Sequence, residues 1–134
     1  MLRLEVVALY AGVNILILLV LAVLVMLGRR KHKIVLGDGG NDAFTRAVRA
    51  HANAAEYIPA GLIGLVLLAL LDPAVPTWLV HAAGLSLTVG RISHGIGLHT
   101  GALNAGRMLG MTLTWLSMTL TAGGLIYAGL SQQL

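Results

Sequence analysis

The sequence predicts an all-α integral membrane protein folded as a four-helix bundle. Of its 134 residues, 57% are hydrophobic and only 10% are charged, whereas a soluble domain carries about 25% charged residues. The apolar residues fall into four long segments, and about 20 residues suffice for a helix to cross the hydrocarbon core. Short connections between the segments make consecutive helices antiparallel. We therefore expect residues 1–134 to form a single transmembrane domain.

The first two predicted helices cover residues 4–27 and 44–71. The first is too long, and too closely followed by basic residues, to be a cleaved signal peptide. Asn14 within it is expected to form an interhelical hydrogen bond. The second helix contains Pro59, which has no backbone N–H to donate and therefore predicts a kink.

The third and fourth predicted helices cover residues 77–98 and 105–130. The turn Asp72–Pro76 precedes the third helix. Gly106 and Gly110 are four residues apart near the start of the fourth helix, and this spacing of small residues predicts close helix packing.

Three aromatic residues of these helices have different expected environments. Trp78 begins the third helix and Tyr127 nears the end of the fourth, so both are expected at a membrane–water interface. Trp115 lies deeper in its helix and is expected to pack inside the protein.

Most basic residues lie toward one side of the predicted bundle. They are Arg29, Arg30, Lys31, Lys33, Arg46, Arg49 and Arg107. The positive-inside rule places the loops that carry cations in the cytoplasm. We therefore expect both termini outside and the basic end of the bundle inside.

The start of the second helix carries a polar face in an otherwise apolar segment. At 100° per residue, its members share a face about 100° wide, while His51 falls on the opposite side. Such groups in a bilayer need a partner or a polar cavity. Two guanidiniums, an amide, a carboxylate and a phenol suit a small zwitterionic ligand with several carboxylates. The members are Arg46, Arg49, Asn53, Glu56 and Tyr57.

The third and fourth helices add further cations at a similar depth. Arg91 and His94 share one face of the third helix, and Arg107 lies near the start of the fourth. An arginine at mid-bilayer costs roughly 3 kcal/mol on insertion scales. We expect these residues to line one shared cavity.

Each candidate also has a structural interpretation. Arg29 and Arg30 could serve only as a topology signal, and Arg46 could extend to the interface. Arg49 and Glu56 could form an ion pair between helices, and His94 could make a packing hydrogen bond. The chain has no cysteine, so it has no thiolate nucleophile of its own, and we predict no metal site. Any thiol chemistry must use a ligand's thiol.

With these motifs, the chain resembles the membrane-associated proteins in eicosanoid and glutathione metabolism, the MAPEG family, which includes leukotriene C synthase and microsomal prostaglandin E synthase. The resemblance covers essentially the whole chain, including helix count and loop lengths. Arg107 stands where the family has a thiol-activating arginine, and the stretch Val89–His94 resembles the third-helix motif. The second-helix motif is matched by Arg49, Asn53, Glu56, Tyr57 and Pro59.

The resemblance implies a homotrimer that binds glutathione between neighbouring subunits near the cytoplasmic face. Glu56 would pair with the α-amino group of glutathione, and arginines would bind its carboxylates. Arg29 or Arg30 would close the site from the adjacent subunit, and a lipophilic co-substrate would arrive between the first and fourth helices. The implied glutathione-binding residues are Arg29, Arg30, Arg49, Asn53, Glu56, Tyr57, Arg91 and His94, with Arg107 as the catalytic residue.

The implied activity is that of a membrane-bound glutathione transferase or peroxidase acting on lipophilic electrophiles. The short chain is most similar to bacterial members, which implies the inner membrane. Three positions depart from some members of the family: Ala52 replaces an arginine, Leu98 a tyrosine and Met108 a serine. These departures leave open a non-catalytic protein of the same fold that binds a lipid or a partner. A small transporter is less favoured, because the helices show no discontinuous pair.

Overall fold

A computed structural model describes residues 2–71 and 74–131, which form four α-helices and no strand. The helices are α1 (Leu2–His32), α2 (Asp42–Leu70), α3 (Thr77–Thr100) and α4 (Ala105–Ser131). The all-α architecture is therefore as predicted. Asp72 and Pro73, the first half of the predicted DPAVP turn, lie outside the described residues.

Contacts between the helices establish an up-down-up-down topology. Gly28 of α1 faces Phe44 of α2, and Leu21, two turns earlier in α1, clusters with Ala54, further along α2, which makes these two helices antiparallel. Tyr10 and Asn14 of α1 contact His81 and Thr88 of α3 in the same chain order, which makes α1 and α3 parallel. The C-terminal ends of α1 and α3 therefore lie beside the N-terminal ends of α2 and α4. We call this end, which carries Arg29, Arg30, Arg46, Arg49 and Arg107, the basic end.

The helices α2 and α3 form the central pair of the bundle. Each packs against both α1 and α4, whereas α1 and α4 do not contact one another within the described part of the subunit. Two apolar clusters fill the space between the helices. The larger lies away from the basic end and includes Leu65, Leu68, Val80 and Leu87.

The end of α1 and the start of α2 extend beyond the predicted apolar segments, each for a physical reason. α1 continues to His32, so Arg29, Arg30 and Lys31 lie in its last turn, where cations interact favourably with the helix dipole. α2 begins at Asp42 because the Asn41 side chain caps it, accepting a hydrogen bond of 2.9 Å from the Phe44 N–H. α2 then continues as a helix through Pro59.

Glycines bring α3 and α4 into close contact, as predicted for Gly106 and Gly110. A Cβ atom built on Gly110 would lie 2.5 Å from the backbone nitrogen of His94, and one built on Gly90 would lie 2.9 Å from the carbonyl oxygen of Gly110. One built on Gly97 would collide with the backbone nitrogen of Arg107. Because glycine has no side chain, the backbones of α3 and α4 can come into direct contact at these positions.

Buried polar side chains connect the helices inside the bundle. Asn14 is fully buried and donates to the Thr88 hydroxyl at 2.8 Å, which confirms the predicted interhelical bond. Ser117 of α4 donates to the Ala83 carbonyl of α3 at 2.7 Å. Such bonds matter in a membrane protein because lipid offers no alternative partner.

Three of the four helices have the composition of a membrane span. Among the described residues, α1, α2 and α4 are long and apolar enough to cross a membrane. α3 has 24 residues, roughly 36 Å of helix, but it contains Arg91 and His94. Both side chains are buried inside the subunit, so they make α3 less apolar on average without contacting lipid.

The three aromatic residues are all exposed on the protein surface. An interfacial belt requires such exposure of Trp78 and Tyr127, and their position at the membrane–water interface stays a prediction. The expectation for Trp115 was wrong, because 57% of this residue is exposed on the subunit surface. Trp115 lies outside the buried face of α4, and its indole nitrogen lies 3.5 Å from the Tyr57 hydroxyl.

Candidate functional site

A small polar cavity opens between α2, α3 and α4 at the basic end. Its volume is about 150 Å³. Three arginines and a histidine contribute to its wall, and no carboxylate does. The lining residues are Thr45, Arg46, Arg49, Asn53, His94, Leu98, Ala102 and Arg107.

Arg91 lies beside this cavity rather than in its wall, and its guanidinium is bonded within the subunit. Only 1% of the residue is exposed. Its Nη1 donates to Asn53 Oδ1 at 2.7 Å, and its Nε donates to the Thr114 hydroxyl at 3.0 Å. The Gly110 carbonyl is a weaker acceptor at 3.4 Å. The guanidinium carbon also lies 5.3 Å from the centre of the Tyr57 ring, a cation–π distance.

Arg107 reaches the cavity from the first turn of α4. Asn104 caps this helix, because its Oδ1 accepts a hydrogen bond of 2.9 Å from the Arg107 N–H. The Arg107 guanidinium donates through Nη1 to the carbonyl of Ala102. Its remaining N–H groups have no acceptor among the described residues and are available to an anion.

Arg46 and Arg49 reach the cavity from the first turns of α2. The Arg46 Nε is buried and has no hydrogen-bond partner in the described structure. Arg49 is exposed, and neither arginine forms an ion pair with a described residue. An unpaired buried donor is costly, so this wall is suited to an anionic ligand.

Glu56 and Tyr57 do not line the cavity. Glu56 is exposed on the outer face of α2, and no described cation pairs with it, so the ion pair with Arg49 considered above is not formed within the subunit. Tyr57 is half-buried between Arg91 and Trp115. The predicted polar face of α2 is therefore divided: Arg46 and Asn53 reach the cavity, whereas Glu56 faces outward.

Arg29 shapes the loop between α1 and α2. Its guanidinium donates to the carbonyls of Val35 at 3.3 Å and Gly37 at 3.1 Å, and it lies 5.5 Å from the Phe44 ring centre. Arg30 is exposed and makes no side-chain hydrogen bond with the described residues. Neither residue lines the cavity of its own subunit.

Asp38 connects this loop to the cavity wall. It accepts hydrogen bonds from the Gly40 N–H at 3.1 Å and from the Thr45 hydroxyl at 3.0 Å. The bond from Gly40, and then that from Thr45, hold the pKa of Asp38 below its ordinary value. The carboxylate therefore stays ionised and fixes Thr45 in the cavity wall.

Three contributing residues were missed in the sequence: Thr45, Asn104 and Thr114. A signal for Thr114 was present, because Gly110, Thr114, Ser117 and Thr121 recur at alternating intervals of four and three residues and are all buried. That spacing marks the inner face of α4. Asn104, directly before the fourth helix, also had the side chain of a helix cap.

The arrangement as a whole can bind an anion. Arginine donates five N–H bonds and accepts none, and the arginines in the wall keep most of theirs unused. The N-terminus of α4 adds the positive end of a helix dipole beside Arg107. A carboxylate fits this wall, while the exposed Glu56 offers a separate partner for an ammonium group.

Comparison with known proteins agrees with the sequence motifs. A family model described as the MAPEG family matches residues 7–127. The chain is 37% identical over 114 residues to the inner membrane protein YecN of Escherichia coli strain K12, which covers 84% of each chain. YecN of Escherichia coli O6:H1 matches with the same identity and coverage. The family match covers most of each of the four helices, including those that build the cavity. The chain therefore belongs to the MAPEG family of membrane proteins.

Proposed function

We propose that the protein is a membrane-bound glutathione-dependent transferase or peroxidase that activates the glutathione thiol toward lipophilic electrophiles. The family is associated with glutathione, whose two carboxylates and one ammonium group need both cationic and anionic partners. The observation that carries the proposal is the cavity lined by Arg46, Arg49 and Arg107, with no carboxylate among the described residues of its wall. Glu56, exposed on the neighbouring face, pairs with no described cation.

The size of the cavity supports a site completed by a second subunit. A volume of about 150 Å³ is smaller than the roughly 300–1,000 Å³ of pockets that enclose a small-molecule ligand. Arg49 and Glu56 are exposed, so a glutathione molecule that touches both must extend beyond the subunit. In the proposed homotrimer, Arg29 or Arg30 of a neighbour closes the site. Arg30 is the better candidate, because Arg29 is already bonded to its own loop.

The proposed path of the lipophilic co-substrate also requires a neighbour. α1 and α4 lie on opposite sides of the α2–α3 pair, and their described backbones do not approach one another within a subunit. A path between the first and fourth helices therefore uses α1 of one subunit and α4 of the next. Such a path would approach the half-buried Arg107 from the bilayer.

The residues have separate proposed roles. Arg49, Asn53 and Arg46 bind carboxylate and carbonyl groups of the tripeptide, and Glu56 binds its ammonium group. His94, in the cavity wall, contacts the ligand beside them. Tyr57 contacts the ligand from the rim, and Arg107 stabilises the thiolate.

We propose that the protein resides in the bacterial inner membrane with both termini outside. The similarity to an inner membrane protein supports the compartment. The basic residues at one end of the bundle support the orientation, because cations are enriched in cytoplasmic loops. The glutathione site then faces the cytoplasm.

A non-catalytic protein that binds a lipid or a partner is the second candidate. One observation favours it: Leu98, buried in the cavity wall, offers no hydroxyl to a thiol. Met108, which stands beside Arg107 in the sequence, is exposed and does not line the cavity.

Titration calorimetry with glutathione tests the proposed ligand. The wild-type protein should bind, and Arg49→Ala and Glu56→Ala should each weaken binding about 10- to 150-fold, because each removes a charge-assisted hydrogen bond. His51→Ala should leave affinity unchanged, because His51 lies on the side of α2 opposite to Arg49 and Glu56. Lys31→Ala controls for net charge at the basic end.

Affinity that is the same in wild type, Arg49→Ala and Glu56→Ala would remove this face from the ligand site. Binding without conjugation of any electrophile would favour the non-catalytic candidate.

A further inference from the structure

Arg91 and Asn53 form a pair in which only one orientation of the amide is possible. Arg91 Nη1 lies 2.7 Å from Asn53 Oδ1. A guanidinium has no acceptor, so the asparagine must turn its oxygen toward Arg91. Asn53 lies in the cavity wall, and its NH₂ group is therefore the part left for a ligand.

Arg91 itself is fixed on its other sides. Nε donates to Thr114 at 3.0 Å, and the Tyr57 ring stacks against the guanidinium. Thr114 in turn donates to the Gly110 carbonyl at 2.8 Å. Because only 1% of Arg91 is exposed, it has little freedom to release Asn53 and turn to a ligand.

From this geometry we propose that Arg91 is a positioning residue, which acts on the ligand through Asn53 and makes the cavity select acceptor groups such as carboxylates. The inference rests on the proposed glutathione site and specifies what its inner wall recognises. With the amide fixed, Asn53 adds two N–H donors to those of Arg46, Arg49 and Arg107. A ligand group that must donate, such as an ammonium or a primary amide, finds few acceptors there.

A double-mutant cycle distinguishes a positioning residue from a direct contact. The single variants are Asn53→Ala and Arg91→Lys, and the latter keeps the positive charge but loses the fork that holds both Asn53 and Thr114. Each should weaken binding about tenfold, the loss of one hydrogen bond to a charged group. If Arg91 acts through Asn53, the double variant should be no weaker than either single variant.

Additive losses, about 100-fold in the double variant, would mean that Arg91 touches the ligand independently and would overturn the inference. Titrations use two probes, glutathione and inorganic sulfate, on the detergent-solubilised full chain. Binding of sulfate without glutathione would refute the proposed function, while the cycle would still test Arg91 with sulfate. Binding of neither anion by the wild type would overturn the inference that the donors in the cavity wall bind anions.

Asn53→Asp provides a second test that leaves Arg91 intact. The new carboxylate still accepts from Arg91, so the unfolding temperature should be retained. It also replaces the donors in the wall with a negative charge, so anion affinity should fall at least tenfold. Unchanged or stronger anion binding by Asn53→Asp would overturn the inference even if Arg91→Lys does not fold.

Discussion

Arg91 and Arg107 lie near the same cavity but differ in burial and in hydrogen bonding, and we infer different roles from this difference. Arg91 is buried and its donors are satisfied by Asn53, Thr114 and neighbouring groups. Arg107 is half-buried and its side chain has one described acceptor, the carbonyl of Ala102. The charge of Arg107 is therefore available to an anion, whereas the donors of Arg91 are bonded within the bundle.

This division could be predicted only in part from the sequence. The spacing of Arg46, Arg49 and Asn53 on a helix placed them together, and the structure brings them to one cavity. Arg91 was grouped with them because it lies at the same depth. Which way its long side chain extends depends on Thr114, an acceptor on another helix, and helical spacing carries no information on that pairing.

Arg107 is expected to lower the pKa of the glutathione thiol. A free thiol has a pKa of about 8.5 and is mostly protonated at neutral pH, and a nearby guanidinium lowers that value. Arg107→Ala should therefore raise the pKa of the bound glutathione thiol, and each unit by which the pKa rises above neutral pH reduces the thiolate fraction about tenfold. The ultraviolet absorbance of the thiolate and the conjugation of an aryl halide should fall together, while the Kd for glutathione changes much less.

Arg107→Lys is the matched control, because it keeps the charge and should retain part of both signals. The thiolate absorbance should be recovered in Arg107→Ala at higher pH, because the mutation raises the pKa of the bound thiol but does not remove the ligand. Wild-type turnover with an undiminished thiolate signal in Arg107→Ala would exclude this residue from the mechanism.

At the scale of the helices, α3 and α4 form the most closely packed pair. Their backbones meet at glycines, and the cavity depends on this approach because His94 and Arg107 extend from the two helices beside it. The glycine pair at 106 and 110 was recognised in the sequence. Its partners Gly90 and Gly97 were not, because α3 contains many glycines and only the packing distinguishes those in contact.

Gly97→Ala should destabilise the protein by about 1–3 kcal/mol, the usual cost of overpacking. The added methyl would collide with the Arg107 backbone, so the start of α4 must move and glutathione binding should weaken as well. Gly123→Ala is the control, because a Cβ atom there meets nothing within 4 Å and alanine favours the helix. Thermal unfolding of both variants in the same detergent makes the comparison, and equal unfolding temperatures would contradict the close packing.

Helix boundaries were predicted to within a few residues except at the end of α1. Hydrophobicity ends near Leu27, but the helix continues through Arg29 and Arg30 to His32. The last turn is stabilised by cations at the negative end of the dipole and by the loop that Arg29 binds. These interactions belong to the helix end and its loop, so an apolar pattern cannot reveal them.

Across the whole molecule, the exposed face of α2 is where a single subunit leaves a charged side chain without a partner among its described residues. Glu56 and Ala60 lie on it, with the half-buried Ala52 one turn earlier. A carboxylate that faces lipid is costly, and small side chains beside it allow another helix to approach closely. Both features support the proposal that α2 faces its copies in the homotrimer that the family resemblance implies.

The last prediction tests that assembly. Ala60→Phe places a bulky side chain on the proposed interface without adding charge, so it should convert the trimer into monomers when the mass of the detergent-solubilised protein is measured. Val89→Phe, on the exposed face of α3, enlarges a side chain that points away from α2 and should leave the trimer intact. The monomeric variant should also lose glutathione affinity, because Arg30 of a neighbour and the outer part of the site are then missing. A wild-type protein that is monomeric at working concentrations, or that binds glutathione equally well as monomer and trimer, would refute a site shared between subunits.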